Sequence, residues 1–159
     1  MVSFRGNVDT RLRKLNDGEV YGTFLAKAGL NRLGVKLEHY EVMETSFMLP
    51  AIAQGALGLE CHRHNEELKR FLSRLNHKTT ELCIKAERSF AKALGAGCQT
   101  PIAAFAESSG ENEISMKAVV LGYEQGQIAK SESRSTLMDV EKMGMKLGKE
   151  LKPVFERWV

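Results

Sequence analysis

The stretch T-T-E-L-C-I-K-A-E-R-S-F-A-K-A-L-G-A-G-C-Q-T-P-I-A-A-F-A, residues 79–106, decides the fold. Leu82, Cys83, Ala86, Phe90 and Leu94 recur at helical spacing, so residues 79–94 read as an amphipathic helix with one apolar side. Gly95 stops it, because glycine accepts the left-handed backbone that ends a helix. Pro101 then opens an apolar extended segment over residues 102–106. Between the two lies Cys98, flanked by Gly95, Gly97 and Pro101, on a constrained loop tip. A thiol there can meet a ligand; the plain structural alternative is a small buried hydrophobe beside a helix C-cap.

Downstream, residues 114–121 and 127–133 read as two further strands. Turns at Ser108-Ser109-Gly110 and over residues 122–126 divide the three. Ser135 or Thr136 would cap a last helix carrying Leu137, Val140, Met143, Leu147 and Leu151, closed by Pro153. The expected packing is α+β: a three-stranded antiparallel sheet covered by helices on one face.

Upstream, Asp9 or Thr10 would cap a short helix through Leu12 and Leu15, ending at Asn16-Asp17-Gly18. Residues 20–26 read as a strand, residues 29–34 as a tight turn with one helical turn, and residues 47–49 as extended. That is a β-α-β-like half-unit without upstream strands, which leaves a sheet edge uncovered. Residues 51–58 are small and glycine-punctuated, as a crossover would be, and residues 66–75 read as helical. No repeat or low-complexity tract interrupts the chain.

At 159 residues and 43% hydrophobic content the chain can bury one or two modest cores, and 27% charged residues suit a soluble surface. No apolar run approaches the roughly 18 residues that span a bilayer, so no membrane role is expected. The first residues lack a charged region followed by an apolar core, so they do not read as a secretory signal. Cys61, Cys83 and Cys98 form an odd set without paired spacing, which suits a reducing cytoplasm. A net charge of +3 is too small to imply nucleic acid. Cys61-His62-Arg63-His64, with His77, lacks a tetrahedral ligand spacing, so no metal is expected and structural or surface roles are read there. Cys61 and Cys83 read as core or half-buried.

Three blocks carry a resemblance: Arg5-Gly6-Asn7-Val8-Asp9-Thr10-Arg11-Leu12, then residues 49–60 (L-P-A-I-A-Q-G-A-L-G-L-E), then the Cys98 loop. Shorter matches at residues 28–34, Leu75-Asn76-His77 and Ala86-Glu87-Arg88 extend it along nearly the whole chain, weakening after Glu107. In this order they resemble hydroxymethylbilane synthase, also called porphobilinogen deaminase, from a point near the middle of the usual sequence onward.

The resemblance implies a transferase of tetrapyrrole (haem-type) biosynthesis that joins four porphobilinogen molecules head to tail with release of ammonia. It implies a fold of α/β plus α+β. Residues 1–49 would be the end of the second, periplasmic-binding-protein-like α/β lobe, residues 50–75 a crossover and return segment to the first lobe, and residues 76–159 the α+β cofactor-attachment domain. Cys98 falls on the cysteine that holds a dipyrromethane cofactor by a thioether. Arg5, Arg11 and Arg32 fall on carboxylate-binding arginines, Ala26 on a residue lining a strand end, and Gly55 where backbone approaches the cofactor. A guanidinium fork suits these ligands because every pyrrole ring carries an acetate and a propionate. Arg5 and Arg11 also flank a glycine loop entering a helix amino terminus, which favours anions. Both are candidates for lowering the Cys98 pKa across the lobe interface. Arg13 has no counterpart and reads as surface.

Two substitutions depart from the pattern: Tyr21 stands where an acidic residue is usual and Ala96 where glycine is. The family's catalytic aspartate belongs to the half that the resemblance does not reach, so no catalytic residue is expected in this part and the chain alone should not condense pyrroles. The implied partners are porphobilinogen, the growing oligopyrrole and a separate amino-terminal half. A non-catalytic pyrrole- or anion-binding module, or a truncated fragment, are the alternatives.

Overall fold

The computed structural model describes residues 2–97 and 99–158. The chain divides into two compact units, Met1–Met43 and Glu44–Val159.

The first unit holds two short helices, α1 (Val8–Asn16) and α2 (Lys27–Arg32), neither with a buried residue. The cap of α1 is Asn7, whose side chain accepts from the Thr10 N–H at 2.9 Å. The helix therefore starts earlier than a cap at Asp9 or Thr10 would allow, because the asparagine oxygen already satisfies an orphan amide of the first turn. Residues 20–26 are not a strand. A strand is defined by its ladder partner, and this unit supplies none. The helical turn expected over residues 29–34 begins earlier, at Lys27, with Ala26 as its N-cap residue.

In the second unit, α3 (Glu66–Ser73) is capped by Asn65, which accepts from the Leu68 N–H at 2.9 Å, and has no buried residue. The helix α4 (Lys78–Leu94) follows, then strands β1 (Ile102–Gly110), β2 (Glu113–Leu121) and β3 (Ile128–Thr136), and finally α5 (Val140–Phe155). Residues 47–49, expected to be extended, instead begin in a turn. His77 caps α4 by accepting from the Thr80 N–H, and Gly95 ends it in the left-handed region at φ 74°. The strands form one antiparallel sheet in the order β1-β2-β3. Ala104 faces Ala118, Ala106 faces Met116, and Val120 faces Ala129.

Buried side chains alternate along the sheet. Ala104, Ala106, Ile114, Met116, Ala118 and Val120 lie on one face, and Phe90 of α4 and Leu147 of α5 complete the most buried layer. The α+β expectation for this part therefore holds, with helices on one side of three strands. Its boundaries move. Ser108-Ser109-Gly110 is not the first turn but the end of β1, where the register shifts, and the reversal falls at Glu111 and Asn112. Ladder pairing of residues 108–110 with 113–114 outweighs their turn chemistry. Ser135 and Thr136 pair with Ile114 and Glu113 and so belong to β3; the N-cap position of α5 is Asp139. Pro153 sits inside the last turn of α5 rather than beyond it, where its missing N–H costs one helical bond near a fraying end.

Two glycines set the approach of α5 to α4. A Cβ at Gly144 would collide with the Ala86 carbonyl, and one at Gly148 would lie 2.7 Å from the Phe90 carbonyl oxygen and 2.6 Å from the Ala93 Cβ. Only residues without a side chain let the two backbones come this close.

Candidate functional site

The expected site residues fall in both units. In the first, Arg11 projects from α1 toward the connector after it. Its Nη2 donates to Thr23 Oγ1 at 2.7 Å and to the Phe24 carbonyl at 2.9 Å, and its guanidinium carbon lies 5.8 Å from the centre of the Phe4 ring. Lys14 stands 5.6 Å from the same ring. Arg11 Nε is buried without a hydrogen-bond partner. Arg11 thus fixes residues 23–24 beside Ala26, where α2 begins, and keeps one donor unspent.

Arg5 is exposed on the loop before α1, and Gly6 beside it has φ 138°, a conformation that a side chain would resist. Arg32 is exposed at the end of α2. Among the described residues neither Arg5 nor Arg32 forms an ion pair or side-chain hydrogen bond, whereas Arg13 is matched with Asp17 at 3.1 Å, one helical turn on. Guanidinium groups without carboxylate partners are the donor set that a polycarboxylate needs, so the residues present fit a carboxylate-rich cofactor.

In the second unit, Gly55 lies in the turn at residues 52–55 with φ 84°, exposed to solvent. This turn walls a shallow cavity of about 360 Å³ that also meets Thr79, Cys83, Glu87 and Phe105. Cys98, the expected attachment point, lies outside the described residues. Cys61 is half-buried and Cys83 buried. Burial pushes the Cys83 thiol above its usual pKa, and the neighbouring charges of Glu87 and Glu107 push it the same way. It is therefore a poor nucleophile. His62 and His64 have ring centres 5.4 Å apart, but among the described residues no three His, Cys, Asp or Glu side chains converge as metal ligands.

Sequence reasoning passed over Glu87. It is 4% exposed, and its carboxylate accepts from the Ala53 N–H at 2.7 Å and the Ala106 N–H at 2.9 Å. Burial raises its pKa and the two backbone donors oppose that rise. The available signal was a carboxylate one turn beyond Cys83 on the apolar side of α4, which must find partners when buried.

Exposed, unmatched Arg5 and Arg32 in the first unit and a helix-covered three-stranded antiparallel sheet in the second define an α+β chain of more than one unit. Comparison with known proteins makes this specific. Residues 1–70 match the family model described as porphobilinogen deaminase, dipyromethane cofactor binding domain, and residues 81–153 match porphobilinogen deaminase, C-terminal domain. The chain is 41% identical over 155 residues to the chloroplastic porphobilinogen deaminase of Oryza sativa subsp. japonica, covering 96% of this chain and 43% of that protein. It is 37% identical over 151 residues to the porphobilinogen deaminase of Nitratidesulfovibrio vulgaris strain DP4, covering 95% of this chain and 48% of that one. The chain belongs to the porphobilinogen deaminase family, and it spans about half the length of these relatives. Among the described residues no helix is long and apolar enough to cross a membrane.

Proposed function

We propose that this chain is the carboxy-terminal portion of a hydroxymethylbilane synthase, acting in the cytoplasm with an amino-terminal portion that completes the site. The observation that carries the proposal is the ordered match of two successive domains of one enzyme family, the first described as binding the dipyromethane cofactor. Residues 1–49 would close an α/β lobe of periplasmic-binding-protein type, residues 50–75 would cross to the other lobe, and residues 76–159 would attach the cofactor.

In this proposal Cys98 is the attachment nucleophile. Porphobilinogen loses ammonia from its aminomethyl carbon, and the Cys98 thiolate forms a carbon–sulfur bond to the methylene left behind. The dipyrromethane, once bound, supplies the growing end to which further pyrroles are joined. Arg5, Arg11 and Arg32 hold ring acetates and propionates, and Arg11 does so from a position fixed by Thr23 and Phe24. Ala26 and Gly55 keep the chain's approach to the rings free of bulky side chains. No residue here is assigned as the general acid or base, so turnover requires the partner portion.

The test is to incubate the purified chain with porphobilinogen, alone and with the amino-terminal portion of the rice relative, and to follow porphobilinogen consumption and intact mass. Consumption only in the mixture, with the adduct mapped to Cys98, is the expected result. An adduct on Cys61 or Cys83 would overturn the attachment assignment. Sustained consumption by the chain alone would overturn the need for a partner.

A further inference from the structure

Glu87 accepts hydrogen bonds from two pieces of backbone far apart in sequence. Residues 50–56 form no regular element, and Ile52 is the hydrophobic side chain of this turn that packs against the core. The turn is closed by the Gln54 N–H bonding the Ala51 carbonyl at 3.0 Å and the Ala56 N–H bonding the Ala53 carbonyl at 3.2 Å. Within it Ala53 has φ 59°, the one positive value at a non-glycine among the described residues. An L-residue resists that conformation, because its Cβ crowds the following carbonyl. Something must hold it there, and strained backbone persists only where surrounding contacts over-determine it.

The Glu87 carboxylate supplies that contact. One oxygen accepts from the strained residue itself, the Ala53 N–H at 2.7 Å. The other accepts from Ala106 in β1, at the margin of the sheet, at 2.9 Å. An edge strand leaves alternate N–H groups without ladder partners, and an ionised carboxylate offers acceptors on both sides at once. No neutral side chain of this size replaces it. A glutamine would present an N–H to one of the two backbone donors, and the pair would repel.

We propose that Glu87 is a positioning residue: a two-sided clasp that fixes the 52–55 turn, and with it Gly55, to the edge of the sheet by holding Ala53 in the left-handed region. Its bearing on cofactor approach at Gly55 rests on the function proposed above. The clasp itself does not.

Amide hydrogen exchange on the full chain, read residue by residue by NMR with no pyrrole present, tests it. In Glu87→Ala the amides of Ala53, Gln54 and Ala56 should exchange roughly tenfold faster or more, with Ala106 following, while those of Phe90 and Val120 change much less. The isosteric Glu87→Gln should show the same pattern more weakly. Adding Ala53→Gly to Glu87→Gln should restore much of the protection at Gln54 and Ala56, because glycine adopts φ 59° without strain. A purely structural loss of the carboxylate would not be repaired at a site 34 residues away in the chain. Unchanged protection of the turn in both Glu87 variants, or no recovery with Ala53→Gly, would overturn the clasp. Failure of Cys98 to load with the clasp intact would count against the proposed function alone.

Discussion

Glu87 also gives the second unit a pH dependence of definite sign. Burial pushes its carboxyl above the ordinary value of 4.5, and the N–H groups of Ala106 and Ala53 only partly offset this. An acid with a raised folded-state pKa binds its proton more tightly folded than unfolded. Burial of the charge costs more than the two N–H donors return. The titration therefore favours folding most below about pH 4.5 and less as pH rises through the raised value, even though the ionised form is the one that accepts from both donors. Half-buried Glu81 behaves oppositely: Lys85, then Asn76 and Lys78, hold it down to about 2, so its contribution fades only as pH falls toward that value. Thermal melts from pH 4.5 to 7 should thus show stability declining with pH, and Glu87→Gln should flatten that decline; an unaltered slope in the variant would contradict the assignment. The arginines predict a second residue-scale result. Arg→Lys at Arg5, Arg11 or Arg32 should each weaken binding of a polycarboxylate pyrrole several-fold, since a lysine loses the two-point grip, while Arg13→Lys should change little. Equal losses at all four, measured by titration calorimetry in the presence of the amino-terminal portion, would reduce the effect to bulk charge. Arg5, Arg11 and Arg32 entered as candidates through the resemblance of their sequence blocks to the family, with guanidinium chemistry only compatible with that role. Sequence alone did not supply Glu87, whose partners are backbone groups far away in the chain that no side-chain pattern marks.

At the scale of elements, the segments that pack a continuous apolar face were legible and those that end by pairing were not. The Leu82, Cys83, Ala86, Phe90, Leu94 stripe gave α4 to within one residue at its start, because the core confirms the period. The limits of β1 and β3 were misjudged because serines and Gly110 favour turns locally, while ladder bonds across the sheet extend both strands. Residues 20–26 show the converse: strand-like composition without a partner forms no strand. The closeness of α4 and α5 was equally hidden, because the reading of α5 followed Met143, Leu147 and Leu151 and passed over the small residues between them. Gly144 and Gly148 nonetheless set that contact. Gly148→Ala should destabilise the second unit by about 1–3 kcal/mol despite alanine's better helix propensity, because the methyl overpacks against Phe90 and Ala93. Urea denaturation checks this, and a variant as stable as the parent would show that the helices can separate without cost.

For the whole chain, the distribution of apolar surface argues for a piece that works with another. In the first unit Tyr21, Phe24 and Tyr40 are exposed, and in the second Phe71 on α3 and Leu75 just beyond it are 60% and 61% exposed. Neither α1, α2 nor α3 buries a residue. The second unit from α4 onward is the reverse, with a contiguous core spanning Leu82 to Phe155. An incomplete sheet edge before residue 51 would have made the same case from sequence, but no strand forms there, so the driving surface is side-chain apolar area rather than unpaired backbone. Two consequences separate along the chain. Amides from about Asn76 onward should hold the slow-exchanging set, because the contiguous core lies there, while those of residues 2–75 should exchange close to unprotected rates outside the Glu87-held turn. The purified chain should also self-associate at micromolar concentration, and an added amino-terminal portion of the rice relative should reverse this by covering the same surface. Sedimentation velocity with and without that portion is the measurement. A monodisperse monomer at all concentrations would show that the exposed aromatic and aliphatic side chains are compatible with water on their own, and would remove the surface argument for a partner.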